Sequence, residues 1–297
     1  MTTARTEAAR HLAMALEPVA AQVYFAPECH AAYAGLGFSP SPATSPTGVE
    51  LPDGPAYFTS RGSVMGQVPG AVVAATFAVF NPDAVVPCVE IGWSKVDAPT
   101  ICDARTAGAV AQLTRVLGPE PEGLGRASEL LGVAGAPLRP EGKPLYAGLL
   151  SLVLPGDPLG EMWRRADLLR EYRGDAHTAA WTAAGLDATE IGLLTELYWG
   201  IPLRSYIRTR AWSDEQLDAA EARLVARGLM ADGGFTDAGR ALRASIEETT
   251  DAQCAPMLDA LGDDLDELVG ILRPWGAAIR DAGGYPSQGP HELAPQR

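Results

Sequence analysis

Residues 211–245 constrain the fold of this chain more than any other stretch. Ser213 is followed by Asp214, Glu215 and Gln216, a hydroxyl cap with a glutamine at the third helical position, which is the reciprocal arrangement that starts a helix. Apolar residues at Leu217, Ala220, Leu224 and Val225 keep helical spacing up to Arg227-Gly228, where glycine suits the left-handed position beyond a helix end. Leu229-Met230 and Phe235 flank Ala231-Asp232-Gly233-Gly234, the pattern of a two-stranded hairpin with a glycine turn. Thr236 then caps a further helix through Gly239, Leu242 and Ile246. Helix, hairpin and helix each carry their own start and stop signals.

This order resembles the winged helix of MarR-type proteins. The matching residues are Trp212, Leu224, Arg227-Gly228-Leu229, Asp232-Gly233 and Phe235-Thr236-x-x-Gly239, in about a sixth of the chain. The whole chain also looks like a family from high-GC bacteria. That family joins such a C-terminal half to an N-terminal half bearing Phe25-x-Pro27-Glu28 and a central Arg-Glu-x-Arg-Gly-Asp-x-His, here Arg170 to His177. The resemblance implies a mostly α fold with a winged-helix C-terminal half, and it implies no activity. A fainter internal parallel, offset by about 110 residues, sets Tyr57-Phe58-x-x-Arg61-Gly62 and Gly92-Trp93 beside Leu168-Leu169-x-x-x-Arg173-Gly174 and Trp212-Ser213. It raises the expectation that residues 1–140 form a second winged-helix-like half, facing residues 141–282 across a cleft.

Elsewhere the pattern predicts helices over Thr6 to Tyr24, Asp103 to Leu117, Glu161 to Ala184 and Gln253 to Leu272, with an apolar segment from Val68 to Phe80. Gly37 to Gly54 and Gly118 to Gly123 read as loops, and Leu145 to Leu154 fits strand or helix. Gly283 to Arg297, rich in Pro and Gly, reads as a disordered tail. Met65, Phe77, Phe80, Trp163, Trp181 and Trp199 are expected in the core.

A net charge of −14 over 297 residues argues against phosphate backbones as partners. The helix before the hairpin sharpens this, with Asp214, Glu215, Asp218 and Glu221 against Arg223 and Arg227, and Asp232 at the hairpin tip. Arg204, Arg208 and Arg210 make only a small basic patch, so DNA is disfavoured without being excluded. Cys29, Cys88, Cys102 and Cys254 are scattered, which suits reduced thiols. No leader-like apolar run opens the chain, and Ala71 to Phe80 is too short to span a bilayer, so a cytoplasmic protein without a membrane partner is expected.

The chemistry concentrates in Arg170-Glu171-Tyr172-Arg173-Gly174-Asp175-Ala176-His177. On a helix, Arg170, Arg173, Gly174 and His177 share one face, with Glu171 and Asp175 on a neighbouring stripe. Two guanidinium groups can hold a carboxylate or phosphate, His177 can move a proton, Asp175 can orient it, and Glu171 joins them as a catalytic candidate that fixes orientation or transfers a proton. Arg61, at the equivalent place of the parallel segment, is expected to face Arg173 across the cleft, and Gly174 to mark the close approach of another backbone or a ligand, or a helix end or kink. The alternative is an internal salt-bridge network joining the halves. His30, beside Glu28 and Cys29, adds a candidate polar contact, but neighbouring positions seldom converge on a metal, so no metal is expected and the cofactor stays open. Phosphate-binding glycine loops, nucleophile elbows and zincin motifs are absent from the sequence. The reading that results is a small-molecule binder, or an enzyme, for an anionic or polar-aromatic ligand. Its rival is a dimeric, effector-responsive regulator that binds DNA.

Overall fold

A computed structural model describes residues 3–45 and 48–286. The chain begins with α1 (Thr3–Ala21), a 3-10 turn at Gln22–Tyr24 and α2 (Pro27–Gly35). A minimal antiparallel pair follows, β1 (Ala43–Thr44) with β2 (Glu50–Leu51), inside the expected loop. Next come α3 (Gly54–Gly62), α4 (Gly70–Phe77), α5 (Pro82–Trp93), α6 (Ala98–Leu117), α7 (Leu124–Gly135) and α8 (Pro144–Leu150). The C-terminal half holds α9 (Pro158–Ala183), α10 (Ala188–Trp199), α11 (Asp214–Ala226), the β3 (Met230–Ala231) and β4 (Gly234–Phe235) hairpin, α12 (Asp237–Gln253), α13 (Ala255–Leu261) and α14 (Leu265–Asp281).

The helix–hairpin–helix unit forms as its local signals require. Ser213 accepts from Gln216 N while the Gln216 side chain accepts from Ser213 N, closing a capping box. Gly228 takes φ 67° just beyond α11, and Asp232 (φ 49°) with Gly233 (φ 73°) turn the hairpin, pairing Met230 with Phe235. Thr236 caps α12 by accepting from Gly239 N, and any Cβ at Gly239 would overlap the Leu229 carbonyl oxygen. That glycine is therefore what lets the hairpin lie against α12.

Other expectations change. The ambiguous segment Leu145 to Leu154 is helical up to Leu150, as α8, and leaves the helix beyond it. The single helix expected from Gln253 to Leu272 is α13 and the start of α14, joined by a 3-10 turn at Gly262–Asp264. Pro256 sits in the first turn of α13, where its missing N–H costs nothing, and Gly262 at φ 51° separates α13 from α14. The segment between α10 and α11 is a strap with only a 3-10 turn at Ile207–Arg210. The parallel drawn between the halves stops at element order. The β1–β2 pair precedes α3 to α6, and after α6 residues 118–123 lead into α7, so no hairpin stands where a wing would.

Residue 140 is not a boundary between separate cores. The largest apolar cluster draws Leu12 and Val19 from α1, Ile101 and Leu113 from α6, Leu131 from α7, Trp163 and Leu169 from α9, and Leu272 from α14. The helix–hairpin–helix unit has its own cluster around Leu193, Leu217, Leu224 and Ile246, and a third lies under α3 to α5, around Phe58, Val73 and Val89. Of the tail expected from Gly283, the first residues are packed: Tyr285 is fully buried against the Phe25 ring. The remainder, 287–297, lies outside the described residues. Among the expected core residues, Phe77, Phe80, Trp163 and Trp181 are buried. Among the described residues, no helix is long and apolar enough to cross a membrane.

Candidate functional site

α9 crosses between the clusters, and its polar face meets α1, α3, α10, α12, α13 and the strap around a chamber of about 1370 Å³. This exceeds the few hundred to about 1,000 Å³ usual for small-molecule pockets. Arg61 of α3 and Arg170, Glu171, Arg173, Gly174 and His177 of α9 all line it, so the helical spacing along α9 places the last five together and tertiary packing adds Arg61.

Their partners differ from those expected. Arg61 does not hold an open anion site opposite Arg173. Its Nη2 donates to both Glu171 oxygens, at 3.1 and 3.0 Å, and its Nη1 donates to the Tyr57 hydroxyl at 3.0 Å. Arg170 forks onto Glu17 through Nε and Nη2, at 2.9 and 3.1 Å, and its Nη1 reaches Glu171 at 2.7 Å. Tyr24 donates to Glu171 at 2.7 Å, and Tyr285 donates to Glu17 at 2.9 Å. Burial alone would raise the Glu171 pKa, but the Arg61 and Arg170 charges outweigh it and hold the carboxyl at about 2. Burial pushes the Tyr24 phenol well above its ordinary range, so it remains a donor.

A second network ties α9 to α12. Arg173 reaches Asp251 at 2.9 Å and Glu247 at 3.3 Å, Arg243 pairs with Glu247 at 2.6 Å, and Arg10 from α1 reaches Asp251 at 3.1 Å. Burial opposes ionisation of Glu247, yet the Arg243, His177 and Arg173 neighbours bring its pKa to about 2. His177 Nδ1 lies 3.1 Å from Thr250 Oγ1, whose own proton goes to the Ile246 carbonyl. The network thus assigns the ring proton to Nδ1 and leaves Nε2 an acceptor. Burial lowers the His177 pKa to about 4, which makes it neutral at physiological pH and a weak base.

Asp175 does not orient His177. It faces α8, where it accepts from Tyr146 N at 3.0 Å, and burial raises its pKa to about 7. A folded pKa above the unfolded value means stability is fullest below pH about 4 and is lost as the pH rises through 7. Asp175→Asn, which keeps an acceptor for Tyr146 N, is therefore expected to flatten the fall in melting temperature between pH 5 and 8 and to match or exceed the parent at pH 8. Differential scanning fluorimetry across that range checks it, and an unchanged slope would count against it.

Gly174 marks no kink and no close approach of another backbone. α9 runs through it, and an added Cβ would find only Glu171 Oε2, at 3.5 Å. His30 stands outside the chamber, linking Glu50 (3.2 Å) to the Tyr24 carbonyl (3.1 Å). No cluster of three potential ligands for a metal occurs among the described residues.

Glu17, Tyr24, Tyr57, Arg243 and Glu247 join the site from distant elements. Glu196, fully buried in α10, shapes the strap, since its carboxylate accepts from Arg204 N and Tyr206 N at 2.6 Å and from Ile207 N at 2.8 Å. The strap is fastened to the N-terminal half, with Asn81 N donating to Arg210 O at 2.9 Å and Trp212 Nε1 donating to Val79 O at 2.9 Å. A Glu set among Leu193, Leu194 and Leu197, beyond the capping Glu190, was the available signal for this role.

Fold and site together define a helical protein that carries a helix–hairpin–helix unit on one wall of a large, charged and aromatic chamber. The chain matches the model of a helix-turn-helix family over residues 9–286, nearly its whole length, and belongs to that family. No curated protein and no solved structure matches it.

Proposed function

We propose that the protein binds a small amphipathic anion in this chamber, with the helix–hairpin–helix unit, of MarR-like type, serving as a wall. The observation that carries the reading is the chamber's lining. In a chain of net charge −14, six guanidinium groups (Arg10, Arg61, Arg170, Arg173, Arg210 and Arg243) line it against the carboxylates of Glu17, Glu171 and Glu247. Asp251 stands behind them as a fourth. Between these groups lie Phe25, Phe80, Tyr198 and Trp199, an apolar surface that can hold a ring. Arg61, Arg170, Arg173 and Glu171 then fix the walls. His177 offers a neutral acceptor for ligand orientation, and its low pKa argues against general-base work at neutral pH.

The regulator reading rests on membership of the helix-turn-helix family. Against direct DNA reading stands α11, whose neighbouring arginines face carboxylates: Arg208 with Asp214, Arg204 with Asp218 and Glu221, Arg223 with Asp187, and Arg227 with Glu190. Base readout needs cationic or amide side chains free to reach the groove. Native mass spectrometry of the purified protein, beside its denatured mass, tests the reading. A bound acidic molecule of a few hundred daltons is the expected result. An apo mass, together with a salt-dependent and sequence-specific DNA shift, would favour the regulator instead.

A further inference from the structure

The arginines of the chamber are not equivalent. Arg10, Arg61, Arg170, Arg173 and Arg243 each meet a carboxylate within 4 Å. Arg210 meets none among the described residues. Its guanidinium is instead stacked between two rings, 4.5 Å from the Phe80 centroid and 4.4 Å from that of Tyr206, and it donates to the Tyr206 hydroxyl. Its Nε is buried and has no hydrogen-bond partner among the described residues. The backbone at this point is held from both sides, by Glu196 through the strap and by Asn81 through the Arg210 carbonyl. The side chain is thus preorganised on the chamber wall and has no counterion among the described residues.

These facts decide where an anion gains most. A ligand carboxylate approaching Arg61 or Arg173 must compete with a carboxylate already in place, and meets its repulsion. At Arg210 it meets uncompensated positive charge, flanked by rings that exclude water and strengthen the interaction. A half-buried cation without a counterion is also costly, so neutralising it adds to the gain.

Resting on the ligand-binding reading above, we infer that Arg210 is the anion-recognition residue of the chamber. It takes the single carboxylate or sulfonate-like head of a ligand whose apolar, ring-containing body fills the aromatic part of the cavity. The five paired arginines belong to the walls. Specificity for a monoanion follows, because only one guanidinium of the lining stands without a carboxylate among the described residues.

Two fluorescent probes that differ in one group provide the test: anilinonaphthalene sulfonate, an aromatic monoanion, and phenylnaphthylamine, the same ring system without the charge. The full-length protein is titrated with each, as are Arg210→Gln and Arg210→Lys. The expected result is that the native protein prefers the anionic probe by about tenfold or more, a difference of about 1.4 kcal/mol. Arg210→Gln loses that preference while still binding the neutral probe, and Arg210→Lys, which keeps charge without the planar stack, falls between. Equal affinity of the native protein for both probes, or an anionic preference that survives in Arg210→Gln, overturns the inference and leaves the chamber reading standing. If neither probe binds the native protein, the chamber reading fails and the inference with it. Should Arg210→Gln not fold, Arg210→Lys decides alone, since retention of the full preference overturns the inference.

Discussion

Glutamine in place of Glu171 is expected to lower the unfolding free energy by about 3–5 kcal/mol, the usual cost of removing one partner from a buried ion pair. Glu171 is 2% exposed and accepts hydrogen bonds from Arg61, Arg170 and Tyr24. After the substitution Arg170 retains Glu17, but Arg61 is left with neutral partners: the Tyr57 hydroxyl, the glutamine carbonyl and its stacking on the Phe77 and Tyr24 rings, 4.6 and 5.2 Å away. A charge is left behind with little to balance it. The effect should depend on pH in a definite direction. The folded pKa of about 2 lies below the unfolded value of about 4.3, so the carboxylate's contribution is complete above pH about 4.3 and is lost as pH falls towards 2. Urea unfolding at pH 7 and pH 3 reads both points. The gap between parent and variant should be wide at pH 7 and narrow at pH 3, whereas coincident midpoints at pH 7 would show that Glu171 stabilises nothing.

Features encoded within a few residues are legible in the sequence. The Ser213 and Gln216 capping box, the Asp232-Gly233 turn and the Thr236 cap with Gly239 each need only a short segment to satisfy backbone groups, and the structure repeats them. The helical period also brought Arg170, Arg173 and His177 to one face, where they line one chamber. What the sequence withheld was the partners. Glu171 finds Arg61 from α3, Arg170 finds Glu17 from α1, and Arg173 finds Glu247 and Asp251 from α12, pairings that only tertiary packing decides. The placement of Asp175 is local as well. Positions two apart on a helix point to different sides, so its separation from His177 follows from geometry alone. Arg210 was visible only as part of a basic patch, because its distinction is a carboxylate that is not there.

Arg173→Ala is expected to destabilise by about 3 kcal/mol, which in a chain of this size corresponds to a fall in melting temperature of about 5–10 °C. The side chain reaches two carboxylates on α12, Asp251 with its side chain fully buried and Glu247 with 10% of its side chain exposed. Alanine leaves Asp251 to Arg10, which is itself about one-third exposed, and leaves Glu247 to Arg243. Each anion then keeps one arginine where it had two, in a place where water cannot screen it. A double-mutant cycle with Glu247→Gln should return a favourable coupling above about 1 kcal/mol, since each substitution removes the other's partner. The same variant separates a wall residue from a ligand contact. A guanidinium already facing two carboxylates offers little net potential to a third, so Arg173→Ala should melt early while keeping the chamber's preference for the anionic probe over the neutral one. An unchanged melting temperature joined to a lost preference would reverse these roles and place the anion against α9. Because α9 spans the main core and α12 belongs to the helix–hairpin–helix unit, the Arg173 pairs also set how far apart the two sides of the chamber stand.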